Sequence, residues 1–112
     1  MNETLKAVIV ELTGGNIRNH HINLRGALGL FPDDALGGGS IDVAGRPVDV
    51  RFAGEDIKTD IDSEKAIFRE RGAVRRFFER ESMTEGDLVL IERLGMREYE
   101  VTKTSRHGLR NL

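Results

Sequence analysis

Apolar residues recur along this chain in two periods, and the switches between them divide it into short elements. In "LKAVIVEL" the residues from Leu5 to Leu12 alternate and are rich in β-branched side chains, which predicts a first strand. Gly14 and Gly15 interrupt it, and "IRNHHINL" resumes with Ile17, Ile22 and Leu24 as its bulky apolar points, predicting an extended polar arm. "RGALGLFPDDALGGG" predicts two short helical pieces split at Phe31-Pro32, because the proline ring clashes with the preceding turn. The second piece has proline in its first turn, Asp33 and Asp34 at its positive end, and the glycines of "LGGGS" following as a flexible connector. "SIDVAG" and "RPVDVRF" alternate on either side of Ala44-Gly45 and predict a hairpin. "AGEDIKTDIDSE" has only Ile57 and Ile61 as bulky anchors among turn-formers and charges, so an exposed excursion is expected there.

"KAIFRER" returns as a strand, and "AVRRFFERESM" places Val74, Phe77, Phe78 and Met83 near one face of a helix. After the turn "TEGD", "LVLIER" is apolar on both pleat faces and reads as a central strand. Gly95 then turns the chain into "REYEVTK", where Tyr99 and Val101 point inward. The pattern predicts six or seven short strands and two small helices, with no regular βαβ alternation and no internal repeat. That is a mainly β (α+β) domain built as a small open barrel or pseudobarrel. A chain of 112 residues holds one core, so residues 1–102 are read as one domain and residues 103–112, "KTSRHGLRNL", as a frayed basic tail.

Composition narrows the chemistry. There is no cysteine, which excludes disulfides and thiolate metal sites and suits a reducing cytoplasm. No apolar run has the length of a membrane helix, and the N-terminus carries no basic region before its short apolar run, so a mature cytoplasmic start is expected. Net charge is -2, unlike the strongly basic balance typical of nucleic-acid binders.

The polar segments hold the residues with candidate chemistry. "NHHIN" superficially resembles part of an HNH nuclease, but neighbouring side chains of an extended segment point to opposite faces. His20 and His21 are then poorly placed to share an ion, and the remaining histidine, His107, lies in the tail. The acids form no strand-anchored pattern with a lysine such as a magnesium nuclease needs. No G-x-S-x-G occurs, and "LGGGS" lacks the lysine of a phosphate loop. No enzymatic activity, cofactor or metal is expected of this chain.

The charge distribution says more than the sum. Lys65, Arg69, Arg71, Arg75, Arg76 and Arg80 face only Glu70 and Glu79 over the same span, and Gly14 to Arg25 carries Arg18 and Arg25 with no acid. A helix face laced with i,i+4 pairs such as Arg75-Glu79 accounts for part of this. The arm is different. Asparagine, arginine and histidine donate to base edges and phosphates, asparagine pairs with adenine and arginine with guanine, and an acid-free stretch of them suits an electronegative groove.

The order of elements, above all "GAVRRFFERESMTEGDLVLIER" as helix, turn and strand, resembles the B3-like DNA-binding pseudobarrel, especially its bacterial branch, as in the effector domain of EcoRII-type restriction endonucleases. The resemblance spans about Leu5 to Thr102. It implies a seven-stranded open barrel that binds double-stranded DNA without cleaving it, inserting two arms into the major groove. The first arm would present Arg18, Asn19, His20, His21 and Asn23. The second would present Lys58, Thr59, Asp60 and Ser63, with Lys65, Arg69 and Arg71 meeting phosphates. It also implies a monomer linked to restriction-modification or regulation, beside a nuclease or other subunit. The competing expectation is a small barrel that binds a protein partner without touching DNA, through a contiguous exposed apolar patch. A stand-alone nuclease comes third.

Overall fold

The computed structural model describes residues 6–105. In chain order the elements are β1 (Ala7–Glu11), α1 (Gly14–Asn19), 3-10 turns at Leu28–Leu30 and Asp33–Ala35, β2 (Leu36–Gly37), a 3-10 turn at Ile41–Val43, β3 (Val48–Phe52), β4 (Glu55–Thr59), β5 (Ile61–Asp62), β6 (Ile67–Phe68), α2 (Arg71–Arg80), β7 (Leu88–Arg93) and β8 (Glu98–Thr104). They make a mainly β, α+β domain with eight strands and two α-helices among the described residues. A five-stranded sheet runs β1-β7-β8-β3-β4, antiparallel except where β3 lies parallel to β8. A smaller sheet runs β2-β5-β6. Strand pairing does not close either sheet into a ring. Leu5 of the expected first strand and Arg106–Leu112 of the expected tail lie outside the described residues, and Lys103 and Thr104, which the sequence assigns to the frayed tail, are instead the last two residues of β8.

One core lies between the two sheets and α2. The inward residues of the large sheet, Val50, Phe52, Val89, Ile91, Tyr99 and Val101, are buried with Ala73, Val74, Phe77 and Phe78 of α2. Every aromatic residue of the chain belongs to one contiguous set of ring contacts. Phe31 stacks on Tyr99 with centroids 4.7 Å apart, Phe68 of the small sheet meets Phe52 of the large one at 5.2 Å, and Phe52 meets Phe77 of α2 at 6.0 Å. Edge and tilted ring contacts add directional preference to the burial itself. Tyr99 donates its hydroxyl to the Leu30 carbonyl at 2.7 Å, so the ring's one polar atom is satisfied inside the core.

The helix predicted from Val74, Phe77 and Phe78, the central β7 strand and the inward Tyr99 and Val101 all stand where the periodicity puts them. Four other expectations are corrected. The arm after β1 is not extended: Gly14–Asn19 is a helix. "SIDVAG" does not pair with "RPVDVRF". Ile41–Val43 is a 3-10 turn, and β3 forms its hairpin with β4, through Ala53 at φ 46° and Gly54 at φ 95°. Two adjacent positive φ values make the tight reversal whose twist matches that of a hairpin. The expected exposed excursion is instead β4 and β5, and Thr59, Asp60 and Asp62 are buried in it. Finally, "LGGGS" is not a loose connector. A side chain at Gly37 would collide with the Gly45 backbone and the Asp60 carboxylate, so the glycine permits a close chain crossing.

Candidate nucleic-acid interface

The segment from Thr13 to Arg25 folds as it does for local reasons. Thr13 is extended, at φ -95° and ψ 166°, and its hydroxyl accepts the Asn16 amide at 3.1 Å, while the Asn16 side-chain oxygen accepts the Thr13 amide at 2.9 Å. This reciprocal cap starts α1. His20 ends the helix in the left-handed conformation, φ 56° and ψ 48°, and the His21 amide returns to the Asn16 carbonyl at 3.0 Å. Beyond that turn the chain alternates. Ile22 and Leu24 are fully buried, Asn23 and Arg25 are exposed, and the Asn23 side-chain oxygen accepts the Arg25 amide at 3.0 Å. Asn23 and Arg25 are therefore aimed outward by the apolar residues beside them.

The turn joining β5 to β6 lies against this segment. Its form is set by Asp62, whose carboxylate accepts the amides of Glu64 at 3.0 Å and Lys65 at 3.1 Å, and by Ser63, whose hydroxyl donates to the Gly37 carbonyl at 2.6 Å. Lys65 and Glu64 are exposed, and Ala66 is left-handed at φ 57°. Three contacts tie the two segments together. The Leu24 amide donates to the Ala66 carbonyl at 2.8 Å, Arg25 reaches the Glu64 carbonyl at 3.5 Å, and Arg71, first residue of α2, donates to the Asn19 carbonyl at 2.9 Å. Asn19, His20, His21, Asn23, Arg25, Lys65 and Arg71 thus form one polar, cation-rich surface.

Within it His21 is unusual. Burial, then the neighbouring charges of Arg71, Lys65 and His20, hold its imidazole below the ordinary 6.5, and Asp62 offsets this only in part. The ring is therefore neutral near pH 7.

The remaining sequence candidates divide. Arg18 is exposed on α1. Lys58 is held at 2.7 Å by Asp49 on the outer face of the large sheet. Thr59 is buried, donating to the Asp60 carbonyl at 2.8 Å and accepting the Glu70 amide at 3.1 Å. Asp60 accepts from Arg69 at 2.7 and 3.0 Å and from the Gly45 amide at 2.6 Å, and Arg69 also donates to the Gly38 carbonyl at 2.6 Å. The hydrogen bonds that Arg69 donates to Asp60 raise the pKa of its guanidinium above the ordinary value. Thr59, Asp60 and Arg69 therefore face inward as a clamp beneath the β5–β6 turn. Arg25 was absent from the sequence candidates. Its signal was legible in the alternation of Ile22 and Leu24, which turns positions 23 and 25 the same way. Among the described residues no three histidine, aspartate or glutamate side chains stand together where they could hold a metal ion, and no helix is long and apolar enough to cross a membrane.

No family model matches the chain. No curated protein matches it either. A solved structure does: the N-terminal domain of Helicobacter pylori LlaJI.R1, 16% identical, with 95% of this chain and 93% of that chain covered and a TM-score of 0.58. At that identity the likeness is one of fold, and it extends over nearly the whole of both chains.

Proposed function

We propose that this chain is a non-catalytic double-stranded DNA-binding domain, an open pseudobarrel that lays two adjacent polar segments in the major groove. The observation that carries the reading is the junction of the acid-free segment Arg18–Arg25 with Lys65 and Arg71, made by the Leu24–Ala66 and Arg71–Asn19 hydrogen bonds. Arg71, Lys65 and Arg25 supply the sequence-independent attraction to phosphates. Asn23, Asn19, His20 and Arg18 carry the donors and acceptors that read base edges. The helix α2 begins at Arg71 with no acid in its first turn, so its positive end adds to the same field. The two buried carboxylates beneath the surface support a non-catalytic role. Asp60 is occupied by Arg69 and Gly45, and Asp62 by two backbone amides, so neither is free to activate water. The sequence resemblance to EcoRII-type effector domains and the fold shared with an N-terminal domain of LlaJI.R1 both support a recognition module working beside another domain or subunit.

The test is fluorescence anisotropy of the full chain against mixed-sequence duplex, single-stranded DNA and RNA at two salt concentrations without metal. Duplex should bind best and weaken with salt, and Arg71→Ala should weaken all duplexes alike and flatten the salt slope by about one unit. Arg18→Ala and Asn23→Ala should instead narrow the difference between sequences. Equal affinity of wild type and these variants, or no duplex affinity at low salt, rejects the proposal. A second reading, docking of a protein partner, is favoured by the β7–β8 tip, where Leu94 is 61% and Met96 81% exposed. It predicts association that salt leaves unchanged.

A further inference from the structure

The only buried side-chain polar atom without a hydrogen-bond partner among the described residues is His21 Nε2. It lies where the two segments meet. Arg71 approaches from α2, Lys65 and Asp62 from the β5–β6 turn, and His20 from its own segment. A buried ring nitrogen left without a partner calls for a physical explanation, and a neutral imidazole beside the Arg71 and Lys65 cations is set to change charge when those cations are neutralised. We propose that duplex binding at this surface is coupled to uptake of a proton at the His21 imidazole, so that the site holds DNA more tightly as the medium becomes more acidic. This rests on the DNA-binding reading above.

Two effects oppose each other when DNA arrives. Phosphates drawn to Lys65 and Arg71 cancel the repulsion that keeps His21 neutral and attract an imidazolium. One phosphate about 7 Å away, in a surrounding of effective dielectric about 20 and physiological salt, favours the protonated form on the order of tenfold. Contact also removes water, which disfavours charge. Nε2 is already withdrawn from solvent in the free protein, so this second effect has little left to act on. Asp62 favours the charged ring in both states. The electrostatic gain therefore dominates, and the ring titrates higher in the complex than in the free protein.

The sign follows. The complex binds more protons than its free components between the two titration points. Affinity therefore rises as pH falls through that interval, and the gain vanishes above the higher point. His20 and His107 are the other two imidazoles of the chain, so both are removed in the test.

Calorimetry of the full chain with a mixed-sequence duplex, in two buffers of different protonation heat, measures the proton count directly. Wild type should take up a fraction of a proton per duplex bound as pH falls below about 7, and its affinity should rise several-fold from about pH 8 to pH 6. The double variant His20→Asn/His107→Asn should bind duplex more weakly, since a base-edge contact at position 20 is altered, and still keep the uptake per duplex bound. Adding His21→Asn, or His21→Gln should the first fail to fold, should abolish it, leaving an affinity that no longer changes over this range. The NMR titration of the wild-type His21 ring, with and without duplex, needs no substitution and should move to higher pH on binding. Duplex affinity with no proton uptake, uptake that survives the loss of His21, or an unmoved His21 titration overturns this inference alone. The absence of duplex affinity at any pH overturns the DNA reading with it.

Discussion

At Asp60, 5% exposed, and Arg69, 14% exposed, two opposite charges meet at 2.7 Å under the β5–β6 turn. A buried pair of this kind is worth little against an apolar replacement, but removing one member leaves the other stranded. Asp60→Asn is therefore expected to cost about 3 kcal/mol, seen as a lower denaturation midpoint. Asp60→Leu/Arg69→Met should cost less than the single change, since no charge is stranded, although the Gly45 amide still loses its acceptor. A double variant less stable than the single one would refute the clamp. These side chains show which information the sequence withholds. An aspartate in "KTDIDSE" looks solvated, because its partners, the Gly45 amide and the Arg69 guanidinium, arrive from separate parts of the chain. Asn23 and Arg25 were readable, because buried Ile22 and Leu24 beside them fix which way they point.

Short elements depend on such local devices more than on period. The six residues of α1 are too few to hold a helix by propensity, and Gly14 and Gly15 disfavour one. What holds it is the reciprocal cap of Thr13 and Asn16, together with Asn19, whose side chain donates to the Gly15 carbonyl at 3.0 Å. Thr13→Ala is expected to cost about 1 kcal/mol and to speed amide exchange at Ile17 and His21. It should also weaken duplex binding through a less ordered first segment, and unchanged exchange there would contradict this. The helix escaped the sequence because "TGGN" carries asparagine where a capping box usually has glutamate or glutamine, and because paired glycines ordinarily mark a break. The β3–β4 hairpin was missed for a related reason. Its turn is Ala53-Gly54, and alanine at positive φ is not the residue that announces such a reversal. By contrast α2 declared itself, since Val74, Phe77 and Phe78 at helical spacing require one buried face.

On the scale of the molecule, a net charge of -2 has to be reconciled with the proposed affinity for a polyanion. The register of the large sheet resolves it. Its outer face carries Asp49, Asp56, Glu92, Glu98 and Glu100 against Arg51 and Lys58, with Glu92 directly opposite Glu100 and Asp49 opposite Glu98. The polar segments are anchored on the other side of the core through Ile22 and Leu24, so the core separates the acids from Lys65 and Arg71. The thinnest dimension of the fold is 23 Å. The screening length is about 8 Å at physiological salt and about 30 Å at 0.01 M. Repulsion from the outer face therefore fades before reaching DNA in the first condition and crosses the whole protein in the second. Glu98→Gln/Glu100→Gln should change duplex affinity by less than about twofold at 0.15 M salt and strengthen it clearly at 0.01 M. Anisotropy at the two concentrations decides: an equal gain at both would put those carboxylates at the DNA surface, and with them the sheet face that this fold turns away from it.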